Sequence, residues 1–382
     1  MDTVTNTGRF VYGRSYLERS DAFALDPIHL PLIEKHHVCT LQHGIFGVLA
    51  DAGADAWGRK LILQMHESQP QNELEFLIAG AGMGVGALSF SLSRDKTKTK
   101  RSPNSLNDIE LLLQGKNALL AAEQVSDEVK QAFMYGSSMG GARPKTLLTH
   151  GQQDYLVKFN KPDDLYNVAR VEHATMRMLA ELNGVQVAPT QLITSKSGED
   201  LLLVQRFDRK GEQVSHHFVS ANSLLTEGAV SQRSLTSWYS YGQLAELLRQ
   251  HSIVATDAHE LFQRMVFNVL IGNTDDHARN HAWLYALPGA QEEHGWRLSP
   301  VYDVLPISAT RQHALGIGEE GRLGTKENLL SQASRFGLQD FKARQLVNTV
   351  QELVAEWPSY MERQGVPERD VDSLRKIIPQ AI

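Results

Sequence analysis

The stretch Asn273-Thr274-Asp275-Asp276-His277-Ala278-Arg279-Asn280 is followed by Val301-Tyr302-Asp303, and Asp303 stands 23 residues after Asn280. Phosphoryl transfer needs a carboxylate that orients the attacking hydroxyl, and it needs oxygen ligands that hold Mg²⁺ against nucleotide phosphates. Asp275, Asn280 and Asp303 provide such a set. The two segments therefore predict a phosphoryl-transfer centre and a fold that carries one.

The spacing inside the loop separates this interpretation from that of an ordinary turn. Asp, Asn and Thr side chains satisfy backbone groups at helix ends, so an isolated Asn-Thr-Asp-Asp is typical of a turn. The interval from Asp275 to Asn280, however, equals the Asp-to-Asn interval of the protein-kinase catalytic loop. We therefore expect a kinase-like loop here.

Ordered segments flank this loop on both sides. Asp257 and Glu260 form a capping-box pattern before an apolar segment that ends at Gly272, which predicts a buried helix. After the loop, residues 283–287 and 296–298 are typical of two strands joined by a turn that contains Pro-Gly. A buried helix is thus expected to lead into the loop, and a hairpin is expected to return the chain to Asp303.

Composition bounds the class of protein. The 382 residues are 42% hydrophobic, which suffices for two or three domains with real cores. No apolar run approaches the ~20 residues that a membrane helix needs, and the amino terminus lacks a signal-peptide pattern, so we expect no membrane partner and a cytoplasmic location. Cys39 is the only cysteine, which excludes an internal disulfide and favours a packing role. The net charge of -6 argues against a general nucleic-acid binder.

Two further motifs are not assigned to cofactors. His277 and His281 have the i,i+4 spacing of a helical zinc pair, but no general-base Glu or third ligand stands at a recognisable distance. His277 is better explained as part of the kinase-like loop. Residues 82–87 nominally fit a dinucleotide fingerprint, but residues 88–92 alternate like a strand and do not open a helix.

A glycine-rich segment provides a second candidate centre. Glycines let the backbone approach phosphates closely, and Lys145 would add a positive charge, although a flexible turn is an alternative. The required spacing of a Walker loop is absent. Lys158 lies in a strand-like segment over residues 155–159, where burial without an anionic partner is costly. The segment comprises Gly136, Ser137, Ser138, Met139, Gly140, Gly141, Ala142, Arg143, Pro144 and Lys145.

Glu172 is a possible acidic partner for Lys158. A helix is predicted from residue 163 or 164 to residue 183, with Gly184 as its stop. Positions 165, 168, 172, 175, 176 and 179 share one face of this helix, and Glu172 is the polar member of that face. It can pair with Lys158, as the strand Lys and helix Glu do in kinases. An ordinary carboxylate at the edge of an amphipathic helix fits the pattern equally well.

The predicted fold class is α/β (α+β), in a two-lobed kinase-like arrangement with a mixed, β-rich amino-terminal part and a mainly helical carboxyl-terminal lobe. A buried strand over residues 201–204 changes to a polar exit, where backbone groups of Gln205, Arg206 and Phe207 can bind adenine edges. We expect a β-rich subdomain over residues 1–104, the rest of the amino-terminal lobe with the phosphate loop over 105–204, and the helical lobe with the catalytic loop over 205–382.

The assembled motifs resemble the HipA family of serine/threonine kinases, the toxins of bacterial HipBA-type toxin-antitoxin systems. The likeness extends over most of the chain. Its landmarks are residues 83–90 (Met-Gly-Val-Gly-Ala-Leu-Ser-Phe), 141–145, the Val-Lys-Phe strand at 157–159, 205–209, 274–280, 300–303 and 314–318.

This resemblance implies ATP and Mg²⁺ as cofactors and assigns roles to individual residues. Asp275 is implied as the catalytic aspartate, and Asn280 and Asp303 as the Mg²⁺ ligands. Lys158 is expected to contact nucleotide phosphates, and residues 140–145 to form a mobile phosphate loop. The other implied nucleotide contacts are Gln205, Arg206, Phe207, His277, Asn280, Tyr302 and Asp303.

The resemblance also implies a regulatory autophosphorylation site. Ser138 matches the family's modified serine, and Ser137 beside it is an alternative. Phosphate at this position adds close to two negative charges, and in the family it accompanies ejection of the loop from the nucleotide site. The chain departs from the best-known pattern in having Arg143-Pro144 where Gln-Glu is common, which affects the expected contacts of the loop and the protein target.

The function implied by the resemblance is ATP-dependent phosphorylation of a serine or threonine in a cytoplasmic protein, with growth arrest as the outcome. The implied target is an aminoacyl-tRNA synthetase or another translation component. The implied partner is a small DNA-binding, HipB-like antitoxin, through which any contact with DNA would be indirect. Two alternatives stay open, a small-molecule phosphotransferase and a catalytically silent corepressor or binding module.

Overall fold

The computed structural model describes residues 1–66, 68–82, 84–93, 95–96, 104–141, 143–210, 213–231, 239–290 and 292–379. Met83 and Ala142, which belong to predicted motifs, lie outside the described residues, as do residues 94 and 97–103. Within them the chain is a mixed α/β protein with antiparallel strand pairs and many helices, which confirms the predicted fold class. None of the described helices is long and apolar enough to cross a membrane.

The helices and strands are as follows. The helices are α1 (Arg14–Leu17), α2 (Gly47–Asp51), α3 (Ala56–Met65), α4 (Glu73–Ala79), α5 (Ile109–Leu120), α6 (Asp127–Met134), α7 (Val168–Leu179), α8 (Ala221–Ser231), α9 (Tyr241–His251), α10 (Asp257–Ile271), α11 (Lys326–Ser331), α12 (Asp340–Ala355), α13 (Trp357–Arg363) and α14 (Glu368–Leu374). The strands are β1 (Gly8–Phe10), β2 (His37–Cys39), β3 (Lys145–His150), β4 (Gln153–Phe159), β5 (Thr190–Thr194), β6 (Asp200–Gln205), β7 (Arg209–Lys210), β8 (Gln213–Val214), β9 (His216–Ser220), β10 (Ala282–Ala286) and β11 (Trp296–Leu298).

The chain forms two compact units, and the first comprises residues 1–159, 205–227 and 284–294. Its amino-terminal strands β1 and β2 pair antiparallel, with Gly8 opposite Cys39, and Cys39 is buried as a packing residue. Strands β3 and β4 form an antiparallel hairpin. A short 3-10 helix, Leu106–Asp108, leads into α5, and the Ser105 side chain forms a capping box with Asp108 at its start.

The second unit comprises residues 160–204, 228–283 and 295–382. It contains the antiparallel pair β5 and β6, in which Thr190 lies opposite Val204. Its core is mainly helical, since α10 packs against both α9 and α12. The helical patterns of the sequence over residues 241–250, 257–271 and 339–356 match these three helices to within a few residues. The predicted domain boundaries at 104 and 204 stay a prediction.

The predicted start of α7 is wrong. The helix begins at Val168, because the Asn167 side chain accepts a hydrogen bond from Arg170 N and satisfies the first turn. Asp164 instead accepts from Lys161 N in a local turn that precedes the helix. Leu165, which the longer helix would have placed on the inward face, is consequently 82% exposed.

The predicted strand over residues 88–92 is also wrong. The structure has neither a strand nor a helix there. The preceding turn is held by long-range contacts instead, because Gly86 N donates to Asp208 Oδ2 at 2.8 Å and the Arg206 guanidinium donates to Gly84 O at 3.0 Å. Alternation of apolar residues alone does not provide a partner strand.

Candidate active site

Helix α10 leads directly into the predicted catalytic loop. It ends at Gly272, which adopts the left-handed conformation (φ 73°) that favours glycine at a helix end. The Gly272 carbonyl accepts hydrogen bonds from Ile307 N and Ser308 N. The loop that follows is tied at Thr274, whose carbonyl accepts from Ala314 N at 3.0 Å. Backbone hydrogen bonds within the second unit therefore hold both the end of α10 and the start of the loop.

The polar side chains of the loop differ in their exposure to solvent. Asp275 is exposed, whereas Asn280 is 7% exposed at the end of a short 3-10 helix, Ala278–Asn280. His277 precedes this turn, and its Nδ1 atom is buried without a hydrogen-bond partner among the described residues. An exposed carboxylate is accessible to a substrate hydroxyl, and a buried amide is suited to a fixed ligand position.

The second predicted segment lies beside this loop. The Tyr302 hydroxyl donates to Arg279 O at 2.8 Å, so the segment that contains Asp303 lies against the loop that contains Asn280. Asp303 and Asn280 are the two predicted metal ligands. Asp303 is exposed and has φ 64°, a left-handed conformation that non-glycine residues seldom adopt. Such strain is concentrated at functional sites in proteins.

Asp276 has a structural role that the sequence did not reveal. It is 2% exposed and accepts a hydrogen bond from the Tyr241 hydroxyl, and His281 Nε2 lies 2.8 Å from its carboxylate. Burial would raise the pKa of Asp276, but the charge of His281 and the hydrogen bonds from His281 and Tyr241 hold it below its ordinary value. Burial, with the nearby Asp276 charge, raises the pKa of Tyr241 well above its ordinary value. His281 thus contacts a carboxylate.

The predicted capping box of α10 is wrong, because its two acids serve long-range contacts. The helix is preceded by Thr256 and has no side-chain cap. Asp257 accepts from Leu298 N at 2.6 Å, and Glu260 accepts from Gln186 N at 2.9 Å and from Arg264 Nε at 3.0 Å. Arg264, which is 1% exposed, also donates to Ser299 O at 2.7 Å. Asp257 and Arg264 therefore bond α10 to residues 298–299, which shortly precede Asp303.

The predicted phosphate loop belongs to the other unit. Gly140 and Gly141 both have positive φ, 66° and 91°, so the segment uses conformations that favour glycine. Lys145 is 3% exposed as the first residue of β3, and its Nζ donates to Gly140 O. Lys145 lies opposite Lys158 in the β3–β4 register, which the sequence did not indicate. The hairpin thus places two lysines at one position beside the glycines.

Ser137 and Ser138 lie in a turn before these glycines. Their side chains are 0% and 1% exposed, and neither hydroxyl oxygen has a hydrogen-bond partner among the described residues. Helix α3 approaches this turn closely, because a side chain at Gly58 would collide with Ser137 O. Autophosphorylation at either serine stays a prediction, and it would require this turn to open.

The polar residues at the end of β6 and just after it, Gln205 and Arg206, bond to β4, which belongs to the first unit as they do. Gln205 Nε2 donates to Gln153 Oε1 at 3.2 Å, and Arg206 N donates to Asp154 O at 2.8 Å. The Arg206 guanidinium is buried and bound by Asp208 at 2.6 and 2.9 Å. Its side chain is therefore committed to the fold, while nucleotide contacts by residues 205–207 stay a prediction.

Glu172, Arg143 and Pro144 complete the set of predicted site residues. Glu172 is 3% exposed on α7, which fits the predicted inward orientation, while its pairing with Lys158 stays a prediction. Arg143 and Pro144 lie between the glycines and β3. No cluster of three or more His, Cys, Asp or Glu side chains that could hold a metal occurs in the part of the chain that the structure describes.

The oxygen donors of Asn280 and Asp303 fit Mg²⁺ in kind. Mg²⁺ prefers oxygen ligands and is usually bound through one or two carboxylates, with substrate phosphates and water as the other ligands. A carboxylate and an amide from adjacent segments match this pattern, and the lack of a closed protein cage is expected for it. The donor set therefore suits a metal that arrives with a nucleotide.

The fold and the catalytic-loop segment place the chain among proteins built like HipA. Its structure is similar to a chain of the Shewanella oneidensis MR-1 toxin-antitoxin complex of HipA, HipB and operator DNA, with a TM-score of 0.67 and 18% identity, covering 98% of this chain and 91% of that one. A family model of the HipA-like C-terminal domain matches residues 137–357, and one of the HipA N-terminal domain matches residues 2–91. The chain therefore belongs to the HipA family.

Curated relatives match shorter parts of the chain. A Haemophilus influenzae protein named "Putative kinase" is 29% identical over 203 residues, which cover 47% of this chain and 55% of the relative. A Sinorhizobium fredii protein named "Putative kinase Y4mE" is 30% identical over 143 residues, which cover 36% of this chain and 32% of the relative. The chain thus spans about half the length of the first and about a third of the second.

Proposed function

We propose that this chain is an ATP-dependent serine/threonine protein kinase that acts on a cytoplasmic protein. The observation that carries the proposal is the hydrogen bond from the Tyr302 hydroxyl to Arg279 O, because it brings the segment of Asp303 beside that of Asn280. Exposed Asp275 precedes the same loop turn. Membership of the HipA family, and the names of the two curated relatives, support a kinase.

The chemistry assigns one task to each of these side chains. The hydroxyl oxygen of the target serine or threonine forms a bond to the terminal phosphorus of ATP, while the bond from that phosphorus to the bridging oxygen of ADP breaks. Asp275 orients the hydroxyl and accepts its proton. Asn280 and Asp303 hold the metal ligand positions. Mg²⁺, when bound, supplies the charge that offsets the negative phosphates.

A small DNA-binding antitoxin is the proposed partner. The solved relative with the same fold is part of a complex with HipB and operator DNA. We propose an equivalent, HipB-like partner for this chain, through which any contact with DNA is indirect. Purification of the tagged chain from its own cells tests this, because a small DNA-binding protein should co-purify with it and the separate chain should not bind operator DNA.

The deciding experiment is transfer of labelled phosphate in a cell extract. The chain is incubated with γ-labelled ATP, Mg²⁺ and extract, and Asp275→Asn is the matched control because it keeps the size of the side chain. We expect a labelled protein, modified on serine or threonine, only with the parent chain. The family resemblance points to an aminoacyl-tRNA synthetase or another translation component as that protein.

Other outcomes of this experiment would contradict the proposal and support a different function. Label that enters only small molecules would identify a small-molecule phosphotransferase. Absence of ATP turnover with every divalent metal tested would identify a binding module, such as a corepressor. Equal labelling by the parent and by Asp275→Asn would assign the activity to a contaminant or to another residue.

A further inference from the structure

A chain of buried polar side chains lies under the catalytic loop. Asn273 Nδ2 donates to Asn268 Oδ1 at 3.0 Å, and Asn268 Nδ2 donates to the Tyr241 hydroxyl at 3.2 Å. The Tyr241 hydroxyl in turn donates to Asp276, whose carboxylate also contacts His281. Each of these five residues is at most 2% exposed. Three of them lie in or beside the loop, and the other two lie in helices α9 and α10.

The contact between Asp276 and His281 has a simple geometric consequence. Asp275 immediately precedes Asp276, and Asn280 immediately precedes His281, so each residue of the proposed chemistry is attached to an anchored neighbour. The 2.8 Å contact spans the 3-10 turn between the two anchors. The distance between the backbones of Asp275 and Asn280 is therefore set by a contact that is buried beneath them.

The energetics of a buried carboxylate favour one conformation of the loop. A buried charge is costly unless it is paired and hydrogen-bonded. Asp276 has these partners only while the loop keeps its present shape, because Tyr241 is fixed in α9 and is 1% exposed. A loop displaced by an ångström would leave the carboxylate buried and unpaired, which disfavours every such alternative.

We infer that Asp276 is a positioning residue of this centre, held by Tyr241 and His281, which sets the places of Asp275 and Asn280 without touching the substrate. This inference rests on the proposed function. Groups that orient a metal ligand from behind typically contribute ~10- to 100-fold to metal affinity or activity. Loss of the Tyr241 hydroxyl should therefore affect turnover and the Mg²⁺ requirement together.

The test compares two buried tyrosines of the same unit. Tyr241→Phe removes the hydroxyl that bonds Asp276, and Tyr360→Phe removes the hydroxyl of a tyrosine that is 5% exposed and interacts with Glu181. The measurement is phosphate release from ATP against Mg²⁺ concentration, expressed per folded molecule. We expect Tyr241→Phe to lower turnover by ~10- to 100-fold and to raise the half-saturating Mg²⁺ concentration. Tyr360→Phe should change neither quantity. Turnover is expressed per folded molecule, and the half-saturating Mg²⁺ concentration does not depend on the folded fraction.

A second pair keeps the inference testable if Tyr241→Phe does not fold. His281→Gln retains a donor for the Asp276 carboxylate, whereas His281→Leu has a similar volume and no donor. The Gln variant should keep most of the turnover and the parental half-saturating Mg²⁺ concentration. The Leu variant should show a lower turnover and a higher half-saturating Mg²⁺ concentration. Parental values for Tyr241→Phe, or equal values for the two His281 variants, would overturn the inference.

The proposed function can fail separately from this inference. Parental turnover by Asp275→Asn would contradict the proposed function itself. Loss of turnover in Asp275→Asn, combined with parental behaviour of Tyr241→Phe, would leave the kinase proposal intact and overturn only the positioning role of Asp276.

Discussion

Two adjacent acids, Asp275 and Asp276, differ sharply in their surroundings. Asp275 is exposed, whereas Asp276 is 2% exposed and its Oδ2 atom is hydrogen-bonded by both Tyr241 and His281. The first carboxylate is thus available to a substrate, and the second is committed to the fold. At the scale of single residues, exposure decides which of two identical side chains can take part in chemistry.

Replacement of Asp275 should therefore affect catalysis and leave stability unchanged. We expect Asp275→Asn to lower phosphate transfer by ~10²- to 10⁴-fold, the usual cost of losing a positioned acid-base group. Its unfolding midpoint should equal that of the parent, because the side chain is exposed. The exposed Asp163→Asn variant is the matched control and should retain full transfer. Near-parental transfer by a soluble Asp275→Asn protein would show that another group orients the hydroxyl.

Replacement of Asp303 should separate backbone strain from metal binding. A non-glycine residue in the left-handed region costs ~1–2 kcal/mol, which glycine avoids. Because Asp303 has φ 64°, Asp303→Gly should be more stable than Asp303→Ala by about 1 kcal/mol. Both variants should lose Mg²⁺-dependent ATP binding in calorimetry, as should Asn280→Ala, while any metal-free binding stays unchanged. Full Mg²⁺-dependent affinity in these variants would mean that the metal binds elsewhere.

At the scale of elements, helix α10 joins the two segments of the candidate site. Its carboxyl end continues into the catalytic loop, and Arg264 in its middle donates to Ser299 O, four residues before Asp303. One helix therefore fixes both the loop with Asn280 and the approach to Asp303. This arrangement makes the buried Glu260–Arg264 pair important for stability and site geometry together.

Breaking this buried pair should be strongly destabilising. Arg264→Met leaves the Glu260 carboxylate buried without its cation, for which we expect a loss of ~3–5 kcal/mol in the free energy of unfolding. Adding Glu260→Gln should recover part of this loss, because the unpaired charge is removed. Arg344→Met breaks an exposed i,i+4 pair with Asp340 and should leave the midpoint unchanged in denaturant titrations. Equal midpoints for Arg264→Met and Arg344→Met would contradict this account.

Strand β9 gives the first unit a pH-dependent stability. Burial lowers the pKa of His217 from 6.5 to about 4, and His217 Nε2 lies 2.8 Å from Leu25 O. Between these two pH values the unfolded chain binds more protons than the folded chain, so the free energy of unfolding increases with pH. The contribution of His217 is complete above pH 6.5 and is lost as the pH falls towards 4.

This pH dependence can be measured by denaturant unfolding between about pH 4.5 and 7.5. His217 should contribute a slope of at most about 1.4 kcal/mol per pH unit. His217→Gln keeps a donor for Leu25 O and should show a shallower slope than the parent. The exposed His150→Gln variant should keep the parental slope. An unchanged slope in His217→Gln would contradict burial of a neutral His217.

At the scale of the whole molecule, each of the two compact units contains some of the residues that the sequence analysis singled out. Lys145, Lys158 and residues 205–207 belong to the first unit, and the catalytic loop with Asp303 belongs to the second. In the first unit Lys145 lies opposite Lys158 in the β3–β4 register, and in the second the Tyr302 hydroxyl donates to Arg279 O.

Nucleotide binding should stabilise the intact chain. A ligand that binds only the folded state, at 100 times its Kd, adds ~2.7 kcal/mol. Mg·ATP should raise the unfolding temperature of the parent and of Asp275→Asn to the same extent, because the proposed role of Asp275 concerns the hydroxyl of the target. Asp303→Gly should show a smaller increase, and AMP with Mg²⁺ should show little. No increase for the parent at millimolar Mg·ATP would contradict ATP binding.

Local patterns in the sequence determined the order of the segments around the site. The apolar period of residues 257–271, the Gly272 stop and the Asp275-to-Asn280 spacing are properties of neighbouring residues, so they predicted α10 and the start of the loop correctly. The same holds for the strand-like segments at 155–159 and 201–204, which lie within β4 and β6. Helix period, strand alternation and turn chemistry act over a few residues, which is why a single sequence reveals them.

Only the tertiary structure decided which polar groups are partners. Tyr241 lies 35 residues from Asp276, Lys145 lies opposite Lys158, and Asp257 and Glu260 bind distant backbone instead of capping their own helix. A buried polar group must find a partner wherever the packed core places one. That choice depends on contacts between residues far apart in the chain, and the spacing of residues along the sequence does not encode it.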